Sequence, residues 1–397
     1  MQTSLAEKAP FDVLALIFEI CAEFSWRSPL RLGGVCRSWR SAVHRNPRLW
    51  SVVDVKSRRE RHKAYFDRSG SYTLHLSVKK PDDIDEVEEV AHRVRCLTIP
   101  YFVDNMPEWG FPALTTLRCI HTDTGGPWVD MNQITTMRFP NLRHLEIVCT
   151  YPNPQCDDLP PLESLDVYPE NESEWEATEA IIAACSASLV TLYIMGASHT
   201  EYQSKSPITL PKLRCLKIDT AEDIKDLPLD LRTPGLQVYK DANSNYEQLM
   251  HKDISSVTHL RLKRFEMVTF LTLSHSAQVL QLKFSFSVFL SVLEELKRNS
   301  SLCSRLECLE FHSDYLEKDE MAKAHQTLET FEWGGRVGMK PPTISDHWIT
   351  EFPLHYVPER YQETMKKVVN LTEFTYAVKA YYSKYGARSN LDVPKTN

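Results

Sequence analysis

Side chains capable of chemistry are plentiful in this chain, but their spacing supports little of it. Cys303, Cys308 and His312 form the tightest grouping of donors of the kind a zinc site uses. Cys308, however, falls within an apolar alternation typical of a strand, so its thiol is expected in a packed core. None of the 14 histidines belongs to an H-E-x-x-H pattern, and no G-x-S-x-G nucleophile elbow occurs. Neither G-x-G-x-x-G nor G-x-x-x-x-G-K-[ST] is present, and Gly334-Gly335-x-x-Gly338 reads as a turn, not a phosphate loop. With 12 glycines against 23 prolines, the chain is expected to consist of punctuated, separately docked segments. No enzyme, metal or cofactor is expected from these patterns; the chemistry in view is that of binding.

Composition narrows the partners. A length of 397 residues allows two or three domains, and 42% hydrophobic with 25% charged residues is ordinary for a soluble globular chain. A formal net charge of −7 offers no electrostatic reason to expect nucleic acid or an anionic membrane. No stretch approaches the roughly 18–20 apolar residues of a membrane span. Residues 1–10 lack the apolar run of a secretory leader. The ten cysteines are scattered and mostly sit in apolar patterns, as reduced thiols do. Asn-x-Ser/Thr triplets at Asn171, Asn299 and Asn370 are short enough to arise by chance. An intracellular chain, cytoplasmic and/or nuclear, is expected.

The elements that would position a binding surface begin at once. From Asp12 to Phe24 only Asp12, Glu19 and Glu23 are polar. A surface helix normally shows one apolar stripe, whereas this one is apolar around most of its circumference. Ser28-Pro29 then marks a helix start, with Ser as cap and Pro at the first position. Leu32, Val35 or Cys36, Trp39 and Val43 recur at helical steps. Gly33-Gly34 predicts a bend between two short helices, and Asn46-Pro47 stops the second. So few residues cannot bury this much apolar surface alone, so another polypeptide, or later segments of the same chain, must cover it.

These residues carry a resemblance. Pro10-Phe11-Asp12-Val13-Leu14, Ile17-Phe18, Leu30, Leu32, Val35-Cys36-Arg37-Ser38-Trp39-Arg40 and Asn46-Pro47-Arg48-Leu49-Trp50 resemble the F-box, in the F-box-like form common in fungi. Ala9 stands where that motif usually has Leu, and Asp12 where it has Glu. The resemblance implies docking to a Skp-family linker protein and, through it, to a cullin–RING scaffold in an SCF-type ubiquitin ligase. It implies that Pro10, Leu14, Ile17, Phe18, Leu30, Leu32, Val35, Cys36, Trp39, Leu49 and Trp50 face the linker or form the small core behind it.

Residues 56–70 read as a basic, solvated linker helix; a nuclear-localisation patch is the other reading. Alternation at Tyr72, Leu74, Leu76 and Val78 predicts a strand, and the steps of Ile84, Val87 and Val90 predict a helix. An apolar-x-x-apolar-x-apolar pattern then recurs, as in Val94/Leu97/Ile99, Leu142/Leu145/Ile147 and Leu213/Leu216/Ile218, down to Leu328/Phe331/Trp333. A weaker copy is Thr233/Leu236/Val238, and successive copies start 20 to 29 residues apart. The pattern resembles leucine-rich repeats, each a strand with a crossover segment. The turn ladder of Asn or Cys is absent, its places taken by Phe102, Thr122, Thr150, Glu170, Ala197 and Ala221.

The expected fold class is α/β: an N-terminal three-helix F-box followed by an irregular leucine-rich-repeat solenoid. Its parts are a helical domain at 9–55, a linker at 56–70, repeats at 71–335, and a C-terminal cap with a disordered tail at 336–397. Outward positions expected to contact a protein target are Arg118, His144, Glu146, Asp166, Tyr193, Lys217, His259, Arg261, Glu310 and Glu332. The expected function is substrate recognition for an SCF-type ligase. The alternative is a non-catalytic interaction scaffold whose N-terminal helices only cap the repeats; a hydrolase or transferase in an atypical α/β domain ranks third.

Overall fold

The computed structural model describes residues 11–55, 59–78, 80–99, 109–119, 131–148, 158–196, 202–220, 227–241, 256–262, 277–283, 286–299, 304–312, 318–330 and 343–345. The chain divides into two compact units, Met1–Ile344 and Ser345–Asn397. Beyond Ser345 the second lies outside the described residues, as do the capping helices expected between Glu359 and Tyr382.

Helices α1 (Phe11–Phe24), α2 (Ser28–Val35) and α3 (Arg37–Arg45) open the chain, followed by a 3₁₀ turn, Pro47–Trp50. The bend does not fall at Gly33-Gly34. The helix runs through both glycines and breaks at Cys36, whose backbone is extended and whose Sγ accepts the Trp39 N–H at 3.4 Å. Nor does Ser28 cap α2. Its hydroxyl donates to the Cys21 carbonyl at 2.7 Å, satisfying one of the acceptors that the end of α1 leaves over. Asn46 ties the turn to α1: its Oδ1 accepts the Arg48 N–H at 3.2 Å and its Nδ2 donates to Glu19 at 2.9 Å.

Trp50 joins these helices to the first crossover of the sheet. Its indole N–H donates to the Val43 carbonyl at 3.2 Å, and its ring meets Tyr65 edge-on at 5.0 Å. The Arg68 guanidinium lies 4.4 Å from the same ring. Tyr65 and Arg68 belong to α4 (Arg59–Ser69), and the Tyr65 hydroxyl donates back to the Trp26 carbonyl at 2.7 Å. Gly70 ends α4 at φ 57°, a left-handed conformation that glycine adopts without penalty.

Thirteen strands form one sheet: β1 (Val52–Val55), β2 (Leu74–Val78), β3 (Val94–Ile99), β4 (Thr116–Cys119), β5 (His144–Val148), β6 (Ser164–Tyr168), β7 (Thr191–Gly196), β9 (Cys215–Thr220), β11 (Val238–Asp241), β12 (His259–Leu262), β13 (Val279–Lys283), β14 (Cys308–His312) and β15 (Thr343–Ser345). Their spatial order is their chain order, and the registered pairs are parallel. Two short strands, β8 (Ile208–Thr209) and β10 (Leu231–Arg232), pair with each other instead. Parallel neighbours require crossovers. Here these include α4, the 3₁₀ segment Pro81–Arg93, α5 (Glu172–Ala184), α6 (Phe286–Arg298) and α7 (Lys318–Thr330).

Alternation sorts the strand residues. Leu76, Leu97, Leu117, Leu145, Leu165, Leu192, Leu216, Tyr239 and Leu260 stand side by side in one buried row. Helix α5 packs closely beneath β7: a Cβ on Gly196 would come within 2.9 Å of the Trp175 ring, so a larger residue there would displace the indole. The helix starts at Asn171, whose Oδ1 accepts the Glu174 N–H at 3.2 Å and whose Nδ2 donates back to Glu174 at 2.6 Å.

Three further expectations need correction. First, the fold class: no self-contained three-helix module followed by a solenoid is evident, but an α/β arrangement with one large parallel sheet flanked by helices. The buried side chains of α1 and α3, chiefly Leu14, Phe18, Ala22, Ala42 and Val43, are too few for a core of their own. They join Trp50, Val53 and Tyr65 in the core that continues under the sheet. Second, Thr233/Leu236/Val238 is out of frame by three residues. Tyr239, not Leu236, stands beside Leu216, because a buried tyrosine fills the leucine place and Asp241 breaks the apolar pattern. Third, Leu328 lies in α7 rather than at the start of a strand. The helix expected around Ile84, Val87 and Val90 is present, as the 3₁₀ segment Pro81–Arg93.

Candidate partner-binding surfaces

Two surfaces carry the predicted site residues. On the N-terminal helices, Leu14, Phe18, Leu49 and Trp50 point inward and are buried. Leu32 and Trp39 are partly buried against the same core, with the Trp39 ring 4.8 Å from that of Phe18. Cys36 is half-buried in its capping role, and Pro10 lies outside the described residues. Ile17, Leu30 and Val35 face solvent. Phe11, Val13 and Leu16 join them, and the six side chains are 43–61% exposed. Sequence reasoning assigned Phe11, Val13 and Leu16 no site role. The missing signal was phase: once Leu14 and Phe18, four apart, share the inward face, positions one or two residues away, such as Val13, Leu16 and Ile17, turn out.

The second surface is the polar side of the sheet. The registers place Arg118, Glu146, Asp166, Tyr193, Lys217, Arg261 and Glu310 in one row, together with Thr98, Lys240 and Gln281. His144 and His259 belong to the adjacent row, with Thr116, Ser164, Thr191 and Cys215. Glu332 lies outside the described residues. Tyr168 and Asp219, two residues beyond Asp166 and Lys217, extend the same face and were missed, although a period of two would have found them.

The centre of this face is electrostatically tight. Arg118 Nε donates to Glu146 Oε2 at 2.6 Å. The Lys217 ammonium sits 3.8 Å from the centroid of the Tyr193 ring, which in turn meets Tyr168 edge-on at 5.9 Å. Asp166, between Glu146 and Tyr193, is 7% exposed. Burial first, and the Glu146 charge second, push its carboxyl up to about 7, with Lys217 and Arg118 pulling the other way. Burial also raises the Tyr168 and Tyr193 hydroxyls, so both are neutral donors at physiological pH. Cys96 stands beside Thr116 on the polar face and burial raises its thiol to about 11; Cys119, between Ile99 and Ile147 on the buried side, is raised as well, so both stay protonated.

Cys308 and His312 lie on β14, and Cys303 falls outside the described residues. Among the described residues, no group of three or more His, Cys, Asp or Glu side chains could hold a metal ion. Among them too, no helix is long and apolar enough to cross a membrane. Compared with protein-family models and with curated proteins, the chain matches none.

Proposed function

We propose that this chain is a non-catalytic adaptor of an SCF-type ubiquitin ligase. Its F-box-like N-terminal segment docks a Skp-family linker protein through the apolar side chains of α1 and α2, and the linker brings the cullin–RING scaffold. The polar sheet face holds a protein target, and ubiquitin transfer belongs to the other subunits. One observation carries this reading. Phe11, Val13, Leu16, Ile17, Leu30 and Val35 stand in water on helices whose opposite faces are already packed. Covering the exposed part of each such side chain is worth on the order of 1 kcal/mol, and six on two neighbouring helices make an interface core.

The test is co-elution of the purified chain with a Skp-family protein, compared with an Ile17→Asp/Leu30→Asp double variant. Leu32 and Trp39 are poorer choices because they also support the chain's own core. Complex formation by the parent chain and its loss in the double variant are expected; equal binding by both would refute the docking surface.

A second reading has its own support. The buried side of the same helices shares a core with Val53 and Val55 on β1, the first strand of the sheet, so the helices also cap an edge. If capping is their whole role, the amides of α1 will resist hydrogen exchange fully without partner, and no linker will bind.

A further inference from the structure

The middle of the polar sheet face holds a carboxyl that docking through the helices leaves unused. Asp166 is buried on β6 between Glu146 and Tyr193, yet it makes no hydrogen bond or ion pair among the described residues. A desolvated carboxyl without a partner is costly, and such groups mark places where a ligand completes the pairing.

The charged and titratable groups around it come from four other strands. Arg118 of β4 is engaged with Glu146 of β5, and His144 of β5 stands in the adjacent row. Tyr193 of β7 carries the Lys217 ammonium of β9 on its ring, Asp219 lies further along β9, and Tyr168 sits two residues on along β6 itself. Among the described residues the two cations near it, Arg118 and Lys217, are engaged by Glu146 and by the Tyr193 ring. An incoming anion would meet Glu146, Asp166 and Asp219; an apolar group would leave Asp166 stripped of water with nothing in return. A cation gains from the carboxylates and from the tyrosine rings at once.

We propose that this point of the sheet receives a basic side chain, an arginine or lysine of the bound target, held by Asp166 beside Tyr168 and Tyr193. This rests on the reading of the polar face as the target surface. The cation is taken only by the ionised carboxyl. Because that carboxyl titrates near pH 7, the competent fraction, and with it the apparent affinity, changes roughly tenfold between pH 6 and pH 8.

Two pools of ten-residue peptides, randomised except for a fixed central arginine or a fixed central citrulline, are titrated against the full chain by fluorescence anisotropy. The arginine pool is expected to bind about tenfold tighter than the citrulline pool at pH 8 and to lose that preference at pH 6. Asp166→Asn should erase the preference at both pH values while leaving linker co-elution intact. Equal binding of the two pools by the parent chain at pH 8 overturns the proposal without any variant. So does an Asp166→Asn chain that still prefers arginine. Linker binding is read separately: loss of arginine preference with intact co-elution removes only this site, and the converse removes only the adaptor reading.

Discussion

The two surfaces are built on opposite principles. The helical patch is apolar and openly exposed, and its value as an interface comes from area removed from water. The centre of the sheet face is charged and half-buried, and its value comes from geometry: a guanidinium on a carboxylate at 2.6 Å, an ammonium over a ring at 3.8 Å, and a buried carboxyl, Asp166, that makes no hydrogen bond or ion pair among the described residues. An area-driven surface tolerates substitution position by position and sets affinity. A surface of desolvated charges tolerates little and sets choice of partner. On the proposed function, a chain carrying both is held firmly at one place and discriminates at another.

Adjacent residues on α1 test the first half of that contrast most severely. Phe18 is fully buried against Trp39, whereas Ile17 is 47% exposed. Phe18→Ala is expected to cost about 3–5 kcal/mol in urea denaturation. Ile17→Ala should cost well under about 1 kcal/mol. A similar loss from both would mean that the exposed side of α1 supports the fold, and the two surfaces would no longer differ in kind.

Asp166 tests the second half, through pH. Its carboxyl titrates near 7 in the folded chain against an ordinary value of about 4 when unfolded. Between those values the folded state holds a proton that the unfolded state has released. The contribution of this group to stability is therefore full below about pH 4 and is lost as pH rises through 7. Asp166→Asn, which never ionises, should match the parent near pH 4 and exceed it by about 2–4 kcal/mol at pH 8. Removing Arg118 acts in the opposite sense. Arg118→Ala leaves Glu146, whose side chain is only 15% exposed, without its 2.6 Å partner, at a cost of about 1–2 kcal/mol. It also removes a charge that holds the Asp166 carboxyl down, so the pH midpoint of peptide binding should move upward. A midpoint that stays put would separate the two groups and break the picture of one coupled cluster.

Much of the sheet was legible because alternation is a local signal. Leu97, Leu117, Leu145, Leu165 and Leu192 announce their row without reference to anything distant. Where local pattern and packing part company, the reading slipped. Tyr239 fills a leucine place that only its neighbours define, and Leu328 sits at repeat spacing but belongs to a helix. The expected three-helix module failed for a related reason: periodicity marks helices, but not whether their inner faces meet one another or meet Trp50, Val53 and Tyr65. The polar row was legible as a set of alternate strand positions. Its centre was not, because nothing in the string Ser164-Leu165-Asp166-Val167-Tyr168 distinguishes a solvated aspartate from one enclosed by Tyr193 and Glu146 on the neighbouring strands.

The smallest expected effect on stability is also the one that separates docking from folding. Ile17→Asp and Leu30→Asp each place a charge where the parent side chain is about half in water, 47% and 52% exposed, so little core contact is lost. At Leu30 the new carboxylate enters the first turn of α2, where the helix dipole favours it. At Ile17, in the middle of α1, the weaker helix preference of aspartate costs a few tenths of a kcal/mol, roughly 0.3–0.5. The urea midpoint of the double variant should therefore lie within about 1 kcal/mol of the parent, far from the loss at Phe18. An apolar interface, by contrast, cannot admit two unpaired carboxylates, each with a desolvation penalty of several kcal/mol. The same two substitutions should thus abolish co-elution with the linker while leaving the fold and the arginine preference of the sheet face unchanged. A double variant that unfolds would show instead that the outer side of α1 and α2 is part of the protein's own support.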